Sequence, residues 1–112
     1  MSDDQNDGSA YWFDLADDVG DSIKEPPKYK VIFLNDDFTP MDFVALMIMT
    51  EFGKSAEDAI NLTYEIHEKG KSIVGIYPKD IAETKIHQVE LIARNQGHPL
   101  KCIIESDLPQ SE

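Results

Sequence analysis

Eight of the nine residues from 41 to 49 are apolar: Met41, Phe43, Val44, Ala45, Leu46, Met47, Ile48 and Met49, interrupted only by Asp42. Opened by Pro40 and closed by Gly53, the run reads as a helix from about residue 40 to residue 52. Its side chains would be apolar on every side, so it needs cover on every side. A chain of 112 residues builds only a modest core with which to provide that cover. Two arrangements meet the demand. Either two further helices enclose this one, or the core covers one face and a bound molecule covers another. The methionines tip the balance toward the second, because their flexible thioethers suit adaptable binding surfaces.

The residues before this helix sharpen that reading. Val31, Ile32, Phe33 and Leu34 form a buried strand by their β-branched and aromatic content. The strand breaks into Asn35-Asp36-Asp37, and Thr39 is then the expected N-cap, with Pro40 at the first helical position and Asp42 near the positive helix end. Acceptors beside an apolar wall suit a small cation that carries an apolar side chain, and an exposed peptide N-terminus is such a ligand. Ile66-His67 and His98-Pro99-Leu100 are candidates for the remaining walls.

Downstream punctuation is clear. Ser55, with Asp58 three residues on, caps a second helix that ends at Gly70. Residues 72 to 77 read as a short strand. Pro78 opens a third helix with Ala82, Ile86, Val89 and Ala93 as its inward stripe, Gly97 closes it, and residues 100 to 105 form a last strand. The order β-α-α-β-α-β predicts a single small α+β domain, a three-stranded antiparallel sheet packed on three helices, over residues 29 to 105. Residues 1 to 28 read as a flexible acidic N-terminal extension. Asp3, Asp4, Asp7, Asp14, Asp17, Asp18 and Asp21 all precede the first basic residue, Lys24. Within it Tyr11-Trp12-Phe13 and Leu15 stand out, either as a linear contact for a partner or as a segment that packs back on the domain. Residues 106 to 112 read as a frayed C-terminal tail.

Charge and cysteine usage exclude several classes. A net charge of −12 would be repelled by a phosphate backbone or an anionic bilayer, so neither nucleic acid nor membrane is an expected partner. The longest apolar run is far short of a bilayer span. With no secretory signal pattern and a lone cysteine, Cys102, the expectation is a reducing, cytoplasmic setting. Cys102 has no nearby base in the sequence and reads as an inert core thiol; His87 reads as a surface histidine.

The stretch Asn35-Asp36-Asp37-Phe38-Thr39-Pro40-Met41-Asp42-Phe43-Val44 closely resembles the signature of the ClpS family. Ile66-His67, Gly70-Lys71, Ala82-Glu83-Thr84-Lys85 and His98-Pro99-Leu100-Lys101-Cys102 continue the resemblance in order. It implies a non-enzymatic adaptor, without cofactor or metal and monomeric on its own. Such an adaptor binds proteins with a free α-amino group and a bulky first residue, Leu, Phe, Tyr or Trp. It hands them to the N-terminal domain of a Clp AAA+ unfoldase, ClpA or ClpC, for degradation by ClpP. The matching positions imply α-amino binding by Asn35, Asp36 and His67. They imply an apolar slot of Thr39, Met41, Val44, Ile66 and Leu100, with Thr63 replacing a methionine common in the family. Unfoldase docking would fall to Asp80, Glu83 and Lys85.

Plainer readings stand beside these. Asn35-Asp36-Asp37 can be an Asx-rich turn, and His67 a complement to a helix C-terminus. The acidic loop, with Asp42, can also be read as a calcium site or as part of a general protein-interaction module, although the spacing lacks EF-hand alternation. The three histidines do not show zinc spacing.

Overall fold

The computed structural model describes residues 26 to 107. The extension expected over residues 1 to 28, with Tyr11-Trp12-Phe13, therefore lies outside the described residues except at its last three positions. In chain order the elements are β1 (Lys28–Leu34), α1 (Met41–Phe52), α2 (Ala56–Lys69), β2 (Lys71–Pro78), α3 (Lys79–Asn95) and β3 (Lys101–Ser106). This is the expected β-α-α-β-α-β order.

β1 lies at the centre of an open antiparallel sheet, in the order β2-β1-β3. Alternation along β1 sends Val31 and Phe33 into the core and Lys30 and Ile32 to the other face. The register on β2 slips by one residue between Val31 and Ile32. Gly75 stands at that irregularity, where a Cβ would meet the Tyr77 ring at 2.5 Å. Several element ends differ from expectation: β2 takes in Lys71 and Pro78, β3 begins at Lys101, and the helices opened by Pro40 and Pro78 start one residue later. The first strand begins at Lys28 because that residue pairs with Pro78, and the last runs on to Ser106, opposite Tyr29. Ser106 is thus part of the sheet rather than of a frayed end.

The helix signals operate largely as read. Ser55 Oγ accepts the Asp58 amide at 3.1 Å, a cap that contributes about 1 kcal/mol. Gly53 and Gly70 end α1 and α2 in the left-handed region that favours glycine. Thr39 is the exception. Pro40 occupies the N-cap position without a side-chain bond, and the helix starts at Met41. Thr39 thus lies one residue before the capping position, and its hydroxyl donates to the Asp36 carboxylate.

Val44, Met47, Ile48 and Phe52 of α1 enter the core with Ala59, Ile66, Val74, Ala82, Val89, Ala93 and Leu100. Met41, Leu46 and Met49 remain exposed. Among the described residues, the core covers most of this apolar helix and leaves the side of Met41, Leu46 and Met49 uncovered. Among the described residues no helix is long and apolar enough to cross a membrane.

Candidate functional site

Where β1 gives way to α1, the chain must turn a central strand away from the sheet, and Asp36 organises the turn. Its Oδ1 accepts the amides of Phe38 and Thr39 at 2.7 Å each, and Oδ2 accepts the Thr39 hydroxyl at 2.7 Å. The Asn35 amide donates to the Gly70 carbonyl at 2.9 Å, which ties the turn to the end of α2. Burial works to raise the Asp36 pKa. The Thr39 hydroxyl, the two amides and the nearby His98 outweigh it, and the carboxyl lies below its ordinary value. Three of about four carboxylate acceptor positions are occupied within the loop, leaving room for one further donor on Oδ2.

That turn forms one end of a cavity of about 320 Å³ between β1, α1 and α2. All nine residues singled out for the pocket line it: Asn35, Asp36 and His67 on the polar side, and Thr39, Met41, Val44, Thr63, Ile66 and Leu100 around the rest. Leu34, Asp37 and Pro40 line it too. Asp37 belongs to the acceptor cluster read from the sequence, whereas Leu34 and Pro40 were not singled out for the pocket. No lining residue is Lys or Arg, so no permanent positive charge faces the cavity. Val44, Ile66 and Leu100 are almost fully buried and form an apolar floor. His67 is exposed near the C-terminal end of α2. The cavity therefore joins acceptors at a solvent-reaching rim to an apolar interior.

Thr63 is buried, and its hydroxyl donates to the Ala59 carbonyl at 2.7 Å. With Met41 it also borders a second, apolar groove between α1 and α2 that includes Leu46, Met49, Ile60 and Tyr64. His98, suggested as a wall, does not line the cavity. It stacks edge-on against Phe43, with ring centres 4.7 Å apart.

The three residues singled out for docking separate. Asp80 and Glu83 line a groove at the start of α3 with Pro26 and Pro27. Lys85 turns elsewhere: its Nζ donates to the Glu51 carbonyl at 2.8 Å and lies over the Phe52 and Tyr77 rings at 5.7 and 5.4 Å. Cys102 is buried, and that burial together with Glu90 pushes its thiol up to about 12. His87 is exposed. Among the described residues no three His, Cys, Asp or Glu side chains converge as metal ligands do.

Residues 24 to 103 match the family model described as ATP-dependent Clp protease adaptor protein ClpS. An ATP-dependent Clp protease adapter protein ClpS from Nitrosospira multiformis is 46% identical over 85 residues, covering 76% of this chain and 83% of the relative. A protein of the same name from Aromatoleum aromaticum is 46% identical over 84 residues, covering 75% of this chain and 82% of the relative. Among solved structures, Agrobacterium tumefaciens ClpS2 bound to L-phenylalaninamide superimposes with a TM-score of 0.71 at 32% identity, covering 74% of this chain and all of that one.

Proposed function

Because this chain belongs to the ClpS family of Clp protease adaptors, we propose that its pocket binds the free α-amino group and bulky hydrophobic first residue of substrate proteins. The adaptor then delivers them to a Clp AAA+ unfoldase, ClpA or ClpC, for degradation by ClpP. The observation that carries this reading is the cavity itself, with acceptors at the rim, an apolar floor and no basic lining residue. An α-amino group with a pKa near ~8 is largely cationic at neutral pH and offers three donors. Asn35, the open position on Asp36 Oδ2 and a neutral His67 can accept them. The first side chain then enters among Val44, Ile66 and Leu100, where complete burial contributes roughly 1.5–3 kcal/mol. L-Phenylalaninamide, the ligand of the Agrobacterium neighbour, has this chemistry: a free α-amino group, an aromatic side chain, and an amide in place of the next peptide bond.

The role is non-enzymatic and cytoplasmic. Asp36 is bound into its loop rather than set to orient a base, and the Cys102 thiol is held protonated. Residues 29 to 105 act as the adaptor domain, the acidic extension takes part in handing substrate over, and Asp80, Glu83 and Lys85 contact the N-terminal domain of the unfoldase.

The test is calorimetry with Leu- and Phe-initiated peptides carrying free and acetylated N-termini. Acetylation removes the cation and leaves the rim acceptors desolvated, so binding should become undetectable. An acetylated peptide that bound within a few-fold of the free one would refute the assignment. Deleting residues 1 to 20 should preserve peptide affinity and stop stimulated degradation.

A further inference from the structure

The sheet face turned away from the helices carries an apolar row. Ile73 of β2, Ile32 of β1 and Ile103 of β3 stand directly opposite one another. Ile32, in the middle, is 3% exposed, whereas Ile73 and Ile103 expose 43% and 37%, and Ile76 in the next row exposes 45%. A sheet with one face in water normally turns polar residues outward. Strand propensity favours isoleucine at such positions but does not explain what frames them. Lys30, Lys71 and Lys101 surround the row, and Lys28 begins the central strand; the acids of this face are Glu105, at a paired position, and Glu65 of α2, which with Leu62 borders the groove over Ile32 and Ile73. Among the described residues none of these four lysines has a carboxylate within ion-pair distance. In a chain with a net charge of −12, this surface is locally basic and apolar together.

We propose that this face is the resting dock of the chain's own segment Tyr11-Trp12-Phe13-Asp14-Leu15. The segment combines three aromatics and a leucine with Asp14, and Asp17 and Asp18 follow it at the start of the tether, which complements isoleucines framed by lysines. Its tether is also suitable. Twelve residues, 16 to 27, separate Leu15 from the start of β1. A flexible linker of that length has a root-mean-square span of about 17–21 Å. Ile32 lies four residues along β1 from Lys28, roughly 13 Å at the rise of a strand. The segment therefore reaches the row without extending fully, which keeps its effective concentration there high. The apolar groove between α1 and α2 is a poorer match, because no lysine offsets its one charged lining residue, Asp42. Docked on the sheet, the extension leaves the peptide pocket open. Release of the segment then becomes a step of delivery, a consequence that rests on the function proposed above.

Trp12 is the only tryptophan of the chain, so the indole emission of the full-length protein reports this segment alone. Its emission should lie at shorter wavelength than that of a free peptide of residues 8 to 18. Quenching by neutral acrylamide should be several-fold weaker, and neither should change with protein concentration. Ile73→Asp, at an exposed position, should restore peptide-like emission and quenching. So should the pair Lys30→Glu and Lys101→Glu, which leaves every isoleucine in place. A Trp12 as quenchable in the intact protein as in the peptide would overturn the proposal. Protection that grows with concentration would overturn it too, by assigning the face to a second copy, as would protection abolished by Leu46→Asp but kept in the sheet variants. No unfoldase is present in the measurement, so its failure is distinguishable from failure of the delivery reading.

Discussion

Thr39 gives both its amide and its hydroxyl to the carboxylate of Asp36, each at 2.7 Å. One side chain thus shapes the loop and presents negative charge to the pocket, and the two roles can be separated by substitution. Asp36→Asn retains an acceptor for the amides of Phe38 and Thr39 but removes the charge. It should lose less thermal stability than Asp36→Ala while weakening binding of a Leu-initiated peptide about tenfold or more, in line with loss of a charge-assisted bond. Asp36→Ala should weaken binding comparably and also destabilise the fold by about 1–2 kcal/mol. Because the carboxyl pKa is depressed in the fold, its stabilisation is present above the ordinary value of 3.8 and is lost as pH falls below it. Acid titration of stability should therefore be flatter in Asp36→Asn. Equal stability of the two variants would refute the loop role.

His67 lines the rim and accepts a hydrogen bond only when its ring is neutral. Peptide affinity should fall as acidification protonates it, since the cationic ring also repels the ligand's ammonium group. His67→Ala should bind weakly at every pH, with most of that dependence gone. A variant with an unchanged profile would place the pH effect on another group.

Met41 is 37% exposed, at the first position of α1, and borders both the pocket and the adjoining groove. Its thioether should crowd a β-branched first residue, whose second γ-carbon stands close to the backbone. Ile and Val should therefore bind much more weakly than Leu, and Met41→Ala should narrow the gap by improving Ile. If Met41→Ala loses Leu binding without a gain for Ile, the side chain is a wall and not a filter.

Lys85 and Glu83 lie two residues apart on α3 and should behave differently. Lys85 bonds the Glu51 carbonyl near the end of α1, so Lys85→Glu should lower stability by about 1–3 kcal/mol before any partner is added. Glu83 makes only an exposed ion pair with Lys79, at 3.8 Å, and Glu83→Lys should leave stability within about 0.5 kcal/mol. Weakened unfoldase binding in Glu83→Lys at unchanged melting temperature would support its contact role. An unaltered melting temperature in Lys85→Glu would refute the structural role of that lysine.

How much of this was legible beforehand follows from the range of each interaction. Helix ends marked by Gly53, Gly70 and the Ser55 cap depend on neighbouring residues, and they appear where the sequence puts them. The nine pocket residues were grouped by family resemblance, and the structure brings all nine to one cavity. Thr39 was misassigned as a helix cap because the helix begins one residue later than read, with Pro40 at the N-cap, and the Thr39 hydroxyl donates to Asp36 in an arrangement set by loop geometry. The separation of Lys85 from Asp80 and Glu83 was hidden for another reason. Its partner, the Glu51 carbonyl, belongs to a helix 34 positions earlier in the chain.

The placement of β1 between β2 and β3 has a consequence for how the protein comes into being. Its partners lie late in the chain, so the sheet cannot close until the C-terminal strand has emerged and docked, a long-range step that slows folding. The pocket draws on β1, α1, α2 and Leu100 next to β3, so it arises only when that closure is complete. A nascent or partly unfolded copy therefore has no complete pocket. Conversely, a saturating peptide should hold the two ends of the fold together, raising the melting temperature as its concentration exceeds the dissociation constant.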